Sequence, residues 1–361
     1  MQEREPQRPH SGEGGSLRRR LRRGTIFTVI ILLAVYSYMV ASTGAHSLAQ
    51  TLQELEPRRL ILPLLATLAS YVTMSLSYEG IARAAGARVS VRDMLRITFV
   101  ANAANNVMPT GGLSGFALRM LMLNKKGVTA GRAVLISFTQ TLLTNLMLMV
   151  FIVYGLVYLM ASRSLQPLSI ALVGAVVGAL TIFLGACLAM VYRQSLRTRL
   201  FERLIELTDR GLTRFGYYDR YARRSHRFFF HIDEGLRFFA AKPRGMLMPL
   251  LWIFLDWLLT IGVLYAAFYS IGSVVSYGQV VIAFSVSIVF AVLSFVPGGV
   301  GILEVALLKM FDSFGVPRNE SVPAILIFRL SFYVVPVLLA MVLARGAFKE
   351  GETIEVAEEL L

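Results

Sequence analysis

Charged residues along this 361-residue chain are gathered into short blocks, with long stretches between them that contain none. Residues 133–162, 164–192 and 257–303 each lack Asp, Glu, Lys and Arg. A helix needs about 20 apolar residues to cross hydrocarbon, so each stretch is long enough. Apolar runs at 25–43, 60–82, 133–160, 168–192, 246–270 and 322–344 predict six full spans. Two further apolar regions are broken. One, 97–118, contains Asn102, Asn105, Asn106, Pro109 and Gly111-Gly112; the other, 279–311, is interrupted by Pro297-Gly298-Gly299-Val300-Gly301. Irregular backbone at membrane depth persists only where protein or a water-filled cavity satisfies its polar groups. The expected fold is all-α and integral to the membrane, with about six transmembrane helices plus two Pro-Gly-Gly re-entrant hairpins.

The flanking charges orient these elements. Basic residues lie on both sides of the first broken region: Arg83, Arg88, Arg92 and Arg96 before it, Arg119, Lys125, Lys126 and Arg132 after it. Cytoplasmic loops carry the excess of Lys and Arg, so both ends of this region read as cytoplasmic. An uncleaved first span then leaves the basic tail 1–24 inside. Counting crossings from there, the second broken region enters from outside, and the acidic tail 346–361 returns to the cytoplasm. The unit span–hairpin–span thus occurs twice with opposite orientation, an inverted repeat of the kind transporters use. A plainer alternative makes 280–296 a full span and puts the C-terminus outside. Between the halves, 193–245 interleaves thirteen Arg and Lys residues with aromatic pairs, and Leu200, Leu204, Leu207 and Leu212 recur at near-helical spacing. That pattern predicts amphipathic helices on the cytoplasmic membrane surface.

Composition agrees. The chain is 56% hydrophobic and 16% charged, against about 25% charged in soluble domains. Its net charge is +14, and only Lys125, Lys126, Lys242, Lys309 and Lys349 among 36 basic residues are lysine. Because the basic residues flank apolar runs, they read as topology signals and phospholipid contacts rather than a nucleic-acid surface. The single cysteine, Cys187, and the dispersed His10, His46, His226 and His231 suggest no metal site. No nucleophile–base set, phosphate-binding loop or dinucleotide fingerprint appears, so neither cofactor nor enzymatic activity is expected.

Ionisable residues at membrane depth are functional candidates by default. Those in the apolar regions are Arg119, Asp256, Glu304, Lys309 and Arg329. Glu304 follows the second break on the first turn of a helix, where a carboxylate serves either as a cap or as a substrate contact. Arg329 suits pairing with Glu304 or Asp256, or bidentate contact with a lipid phosphate. Asp256 suits the same pairing or the amine of a cationic headgroup, and Lys309 suits snorkelling to the interface. Gly111, Gly112, Gly298 and Gly299 allow a headgroup to approach free backbone N–H groups. Asn102, Asn105, Asn106, Gln140 and Asn145 either line the same cavity or glue helices together.

The motifs Asn106-x-x-Pro109-x-Gly111-Gly112 with Arg119, and Pro297-Gly298-Gly299-Val300-Gly301-x-x-Glu304 with Arg329, resemble the lysylphosphatidylglycerol synthase transmembrane-region family. This is the flippase-like part of bacterial multiple-peptide-resistance-factor proteins. The resemblance runs from about Thr25 to Ala344. Family members often carry an acid in the first Gly-rich loop, where this chain has Gly115 and Phe116. The soluble aminoacyl-transferase domain has no counterpart in these 361 residues, so lysine transfer is not implied. What the resemblance implies is a bacterial inner-membrane protein that moves or binds a polar lipid, a flippase- or scramblase-like transporter with Arg119, Asp256, Glu304, Arg329, Asn106 and the four glycines as its site. The alternatives are a non-transporting subunit that partners a lipid-modifying enzyme, and a membrane-embedded transferase acting on a lipid carrier. A homo-oligomer is compatible with each of these readings.

Overall fold

The structure, a computed structural model, describes residues 56–107, 113–162, 193–214, 243–294 and 299–344, with isolated positions elsewhere. The described residues are helical and contain no strand. In chain order the helices are α1 (Ile61–Ala84), α2 (Val91–Val107), α3 (Leu113–Lys125), α4 (Ala130–Ser162), α5 (Gln194–Arg214), α6 (Pro243–Ser270), α7 (Tyr277–Leu293), α8 (Ile302–Ser313), α9 (Arg318–Arg329) and α10 (Val335–Ala344). A 3-10 turn, Pro57–Leu60, leads into α1, and a π-helical turn, Leu330–Val334, joins α9 to α10.

Four helical segments are long and apolar enough to span a membrane: Pro57–Ala84, Ala130–Tyr158, Pro243–Ser270 and Arg318–Ala344. They match the spans expected at 60–82, 133–160, 246–270 and 322–344. The expected spans 25–43 and 168–192 lie outside the described residues apart from isolated positions, as do both tails and much of 215–242. Each broken region is a helix, a break and a second helix that packs back on the first: α2 with α3, and α7 with α8.

The same punctuation occurs twice along the chain. α1 ends at Gly86 (φ 75°), with Ala87 N–H donating to Ala82 O; α6 ends at Gly272 (φ 74°), with Ser273 N–H donating to Phe268 O. This is the Schellman arrangement, which favours glycine because an L side chain is strained at positive φ. Four residues later Ser90 accepts from Asp93 N–H at 3.1 Å, and Ser276 accepts from Gln279 N–H at 3.2 Å. Each serine caps the helix that enters the break. After the breaks, α3 and α8 end on Gly127 (φ 79°) and Gly315 (φ 76°) with the same pair of bonds, Val128 to Leu123 and Val316 to Phe311.

α1 and α6 form the central antiparallel pair. Gly80 faces Pro249, with 3.0 Å between a built Cβ and Pro249 Cγ, while Ser70 meets Asp256 and Ser270 Oγ donates to Arg59 O at 3.1 Å. At one end of the pair lie the start of α2, the end of α3 and the end of α10. They are tied by Lys126–Asp93 at 2.7 Å and by Arg96 Nε donating to Leu343 O at 2.6 Å. Lys126 and Ser90 hold the Asp93 carboxyl below its usual range. At the other end lie the end of α8 and the start of α9, tied by Arg318–Asp312 at 2.8 Å and by Ser273 donating to Glu320. The mouths of the two broken units therefore face opposite ends of the bundle.

Two cores follow from this division. One gathers Tyr71, Ile81, Met94, Ile97, Leu123 and Ile136 around the first broken unit. The other gathers Phe268, Phe284, Leu307, Phe311 and Phe328 around the second. Trp257 packs against both.

Gly299 carries a strict local demand: its φ is 60°, and an added Cβ would stand 2.7 Å from Ala291 Cβ. Gly299→Ala is expected to cost about 1–3 kcal/mol through backbone strain and overpacking. Gly262→Ala, where a Cβ meets nothing within 4 Å, should cost nothing. Thermal unfolding of both variants in detergent checks this, and equal melting temperatures would contradict it.

Candidate functional site

The first broken unit places a charge in the interior. α3 begins just past the break, and its third N–H, from Gly115, is capped by Asn105 Oδ1 at 2.8 Å from the opposing arm. The arms are so close that a Cβ on Gly115 would stand 2.3 Å from Ala101 O. A side chain of any kind at this position has no room between the arms as they stand. One turn on, Arg119 is 4% exposed, and its Cζ lies 4.0 Å above the Tyr78 ring of α1. Such cation–π contacts contribute about 0.5–2 kcal/mol. Nothing among the described residues accepts a hydrogen bond from Arg119 Nε, and no carboxylate pairs with the guanidinium.

The second broken unit treats its charge differently. Glu304 is fully buried; Oε2 accepts from Gly301 N–H at 2.8 Å, and Oε1 stands 2.7 Å from Arg329 Nε. The Nε–H is not aimed at that oxygen, so the attraction is Coulombic more than a directed hydrogen bond. Arg329 Nη2 also reaches Gly299 O at 3.4 Å, and its Cζ lies 4.1 Å above the Tyr333 ring. The π turn brings Tyr333 there: Pro336 offers no N–H to the Phe332 carbonyl, and the wider turn relieves the clash. Glu304 and Arg329 thus fasten the returning backbone of the break to the last span.

Asp256 belongs to a third arrangement. It lies mid-way along α6, 7% exposed, and accepts a 2.5 Å hydrogen bond from Ser70 Oγ of α1. Beside it, Tyr71 stacks on Phe99 of α2 at 4.3 Å and lies 6.1 Å from Phe332 of the π turn.

The structure separates the expected site residues into three groups. Arg329 pairs with Glu304 and not with Asp256; Glu304 is a cap and an ion-pair partner together. Among the described residues Arg119 is held by an aromatic face, with no carboxylate beside it. Lys309 is exposed, and Asn106 is half-buried at the end of α2. Gly111, Gly112 and Gly298 lie outside the described residues, while Gly299 is buried against Ala291. Of the expected polar lining, Gln140 accepts from Ser77 of α1 at 2.7 Å, whereas Asn145 is exposed and donates to Thr141 O of its own helix. Sequence reasoning missed Tyr78, Ser70 and Tyr333. Tyr333 could have been found from its four-residue spacing from Arg329; the other two lie on helices distant in sequence from their partners.

The chain matches the family described as Lysylphosphatidylglycerol synthase TM region over residues 25–340. It is similar to phosphatidylglycerol lysyltransferase of Staphylococcus aureus strain MRSA252, 22% identical over 328 residues, covering 90% of this chain and 33% of that protein. It is also similar to phosphatidylglycerol lysyltransferase of Staphylococcus haemolyticus, 30% identical over 93 residues, covering 26% of this chain and 11% of the relative. The alignments therefore span a third or less of these relatives' length.

Removing one partner of a buried ion pair strands the other charge, at about 3–5 kcal/mol. Glu304→Gln and Arg329→Met should each lower the melting temperature, and the double variant should recover part of the loss. A double-mutant cycle by thermal unfolding checks this; additive losses would mean the pair is not coupled.

Proposed function

The chain belongs to the lysylphosphatidylglycerol synthase transmembrane-region family, and from that membership we propose that it moves a polar phospholipid or lipid-linked molecule across a bacterial inner membrane. The observation that carries the reading is Arg119: a buried guanidinium with an aromatic face beneath it and no anion among the described residues. A buried charge needs a partner, and guanidinium geometry suits the oxygens of a lipid phosphate. Arg329, already balanced by Glu304, is the positioning counterpart that keeps the second break in shape. Asn106, Gly111, Gly112, Gly298 and Gly299 remain the other candidates for contact with the headgroup in this proposal.

Two features of the fold support movement over simple binding. The broken units open toward opposite ends of the α1–α6 pair. Transporters that alternate access commonly use inverted repeats with broken helices that meet near the midplane. In this reading both units are re-entrant, and the end that gathers Arg83, Arg88, Arg92, Arg96, Lys126 and the close of α10 faces the cytoplasm, as does the N-terminus. The protein then acts as a transporter rather than an enzyme.

One observation favours a second reading. α5 leaves Leu196, Leu200 and Leu207 exposed beside a row of arginines. A subunit that docks a lipid-modifying enzyme would use such a face.

Fluorescent-lipid flipping in proteoliposomes, across several headgroups, tests the proposal. Wild type should accelerate flipping, and Arg119→Ala should lose about tenfold or more, the worth of a charge-assisted hydrogen bond. Arg119→Lys should be intermediate, because it keeps the charge without the fork, and Tyr78→Phe should retain most of the rate. A folded Arg119→Ala protein at the wild-type rate would remove Arg119 from the site. No acceleration by folded wild type for any headgroup would favour the subunit reading.

A further inference from the structure

The α1–α6 interface holds a carboxylic acid that phosphate recognition leaves unused. Asp256 is 7% exposed at the middle of a span, and Ser70 donates its hydroxyl to Oδ1 at 2.5 Å. The Thr260 hydroxyl stands 3.4 Å from Ser70 Oγ. Among the described residues no Lys, Arg or His pairs with Asp256, and no donor reaches its second oxygen.

The groups on every packed element are otherwise engaged or remote. α1 presents Tyr71 and Tyr78, with Arg119 on the ring of Tyr78, and holds its Glu79 with Arg83 near its end; the π turn presents Tyr333 beneath Arg329. α4 carries only Arg132, exposed at its start, and α7 carries no charged residue. On α9, Arg318, Glu320 and Arg329 are held by Asp312, Ser273 and Glu304. Arg59 lies at the far end of the interface, beside Ser270.

An ionised carboxylate with a single hydroxyl donor at this depth costs several kcal/mol, and such groups are neutralised instead. A metal cation is poorly served here: hard cations take about six oxygens, whereas Asp256, Ser70 and Thr260 supply few. The neighbouring Thr67 and Thr73 hydroxyls are turned back onto carbonyls of their own helix. A proton needs only the carboxylate and an accepting or donating hydroxyl.

The geometry points to Asp256 as a proton-carrying site at the α1–α6 interface, through which the movement of lipid is coupled to the movement of protons. One O–H bond forms on a carboxylate oxygen when the interface opens to one side, and the same bond breaks, releasing the proton, when it opens to the other. No other bond changes. The coupling rests on the lipid-transport reading; the proton site itself does not.

Trp257 is the next residue, packed near Phe151 and Phe284, and the chain has one other tryptophan, Trp252. In full-length Trp252→Phe protein reconstituted in liposomes, Trp257 emission should titrate with pH in one step. Asp256→Asn should abolish the step and Ser70→Ala should move its midpoint, while Arg119→Ala should keep it. Replacing choline chloride with sodium chloride should change nothing. An imposed pH gradient should then alter wild-type lipid flipping at least about twofold and leave Asp256→Asn, shown folded by thermal unfolding, unaffected. A titration that persists in Asp256→Asn, or a response to sodium, would overturn the proton site. Flipping that ignores the gradient would overturn the coupling. Absence of flipping in wild type would sink the transport reading alone, since the emission titration still decides the site.

Discussion

A charge held at membrane depth has to be paired, solvated or neutralised, and the interior of this protein is arranged around three separate answers to that demand. Glu304 and Arg329 neutralise each other while the carboxylate also caps α8. Arg119 rests on the ring of Tyr78 with no anion beside it among the described residues. Among the described residues Asp256 keeps a single hydroxyl partner, Ser70. The first arrangement is self-sufficient and holds a broken helix in place. The other two lack a charged partner among the described residues, which is why the proposed function rests on them.

The broken units depend on the same economy of polar groups. Backbone that stops being helical inside a hydrophobic layer leaves N–H groups and carbonyls to satisfy. Asn105 reaches across from α2 to the N–H of Gly115, Glu304 turns back to the N–H of Gly301, and Arg329 reaches the carbonyl of Gly299. Close approach of the arms makes these contacts short enough, and small residues make the approach: Gly115 against Ala101, Gly299 against Ala291. The repeated Schellman glycines and capping serines set the lengths of the arms. The same turns and caps thus recur in two halves with different core residues.

Much of this was legible in the chain. Long apolar runs located four spans now seen as α1, α4, α6 and the α9–α10 segment, and the two Pro-Gly-Gly breaks marked both broken units. The charged members of the interior were legible for the same reason, since a charge in an apolar run is conspicuous. Their partners were not. Tyr78 and Ser70 are ordinary residues of an apolar helix, and only the antiparallel packing of α1 on α6, with α3 alongside, makes them neighbours of Arg119 and Asp256. Pairing was equally hidden: charge alone allowed Arg329 to meet Asp256 or Glu304, and the return of backbone through Gly299 and Gly301 decides for Glu304.

The opposed entry of the two broken units is the claim on which transport rests most directly, and cysteine accessibility measures it. Cys187 is the only native cysteine, so Cys187→Ser gives a clean background. Asn124→Cys at the end of α3 and Ser313→Cys at the end of α8 both place a thiol on exposed positions. In sealed vesicles of known orientation, a membrane-impermeant maleimide should label Asn124→Cys from the cytoplasmic side only and Ser313→Cys from the other side only. Labelling of both from the same side would contradict the inverted arrangement and, with it, the alternating path proposed for the lipid.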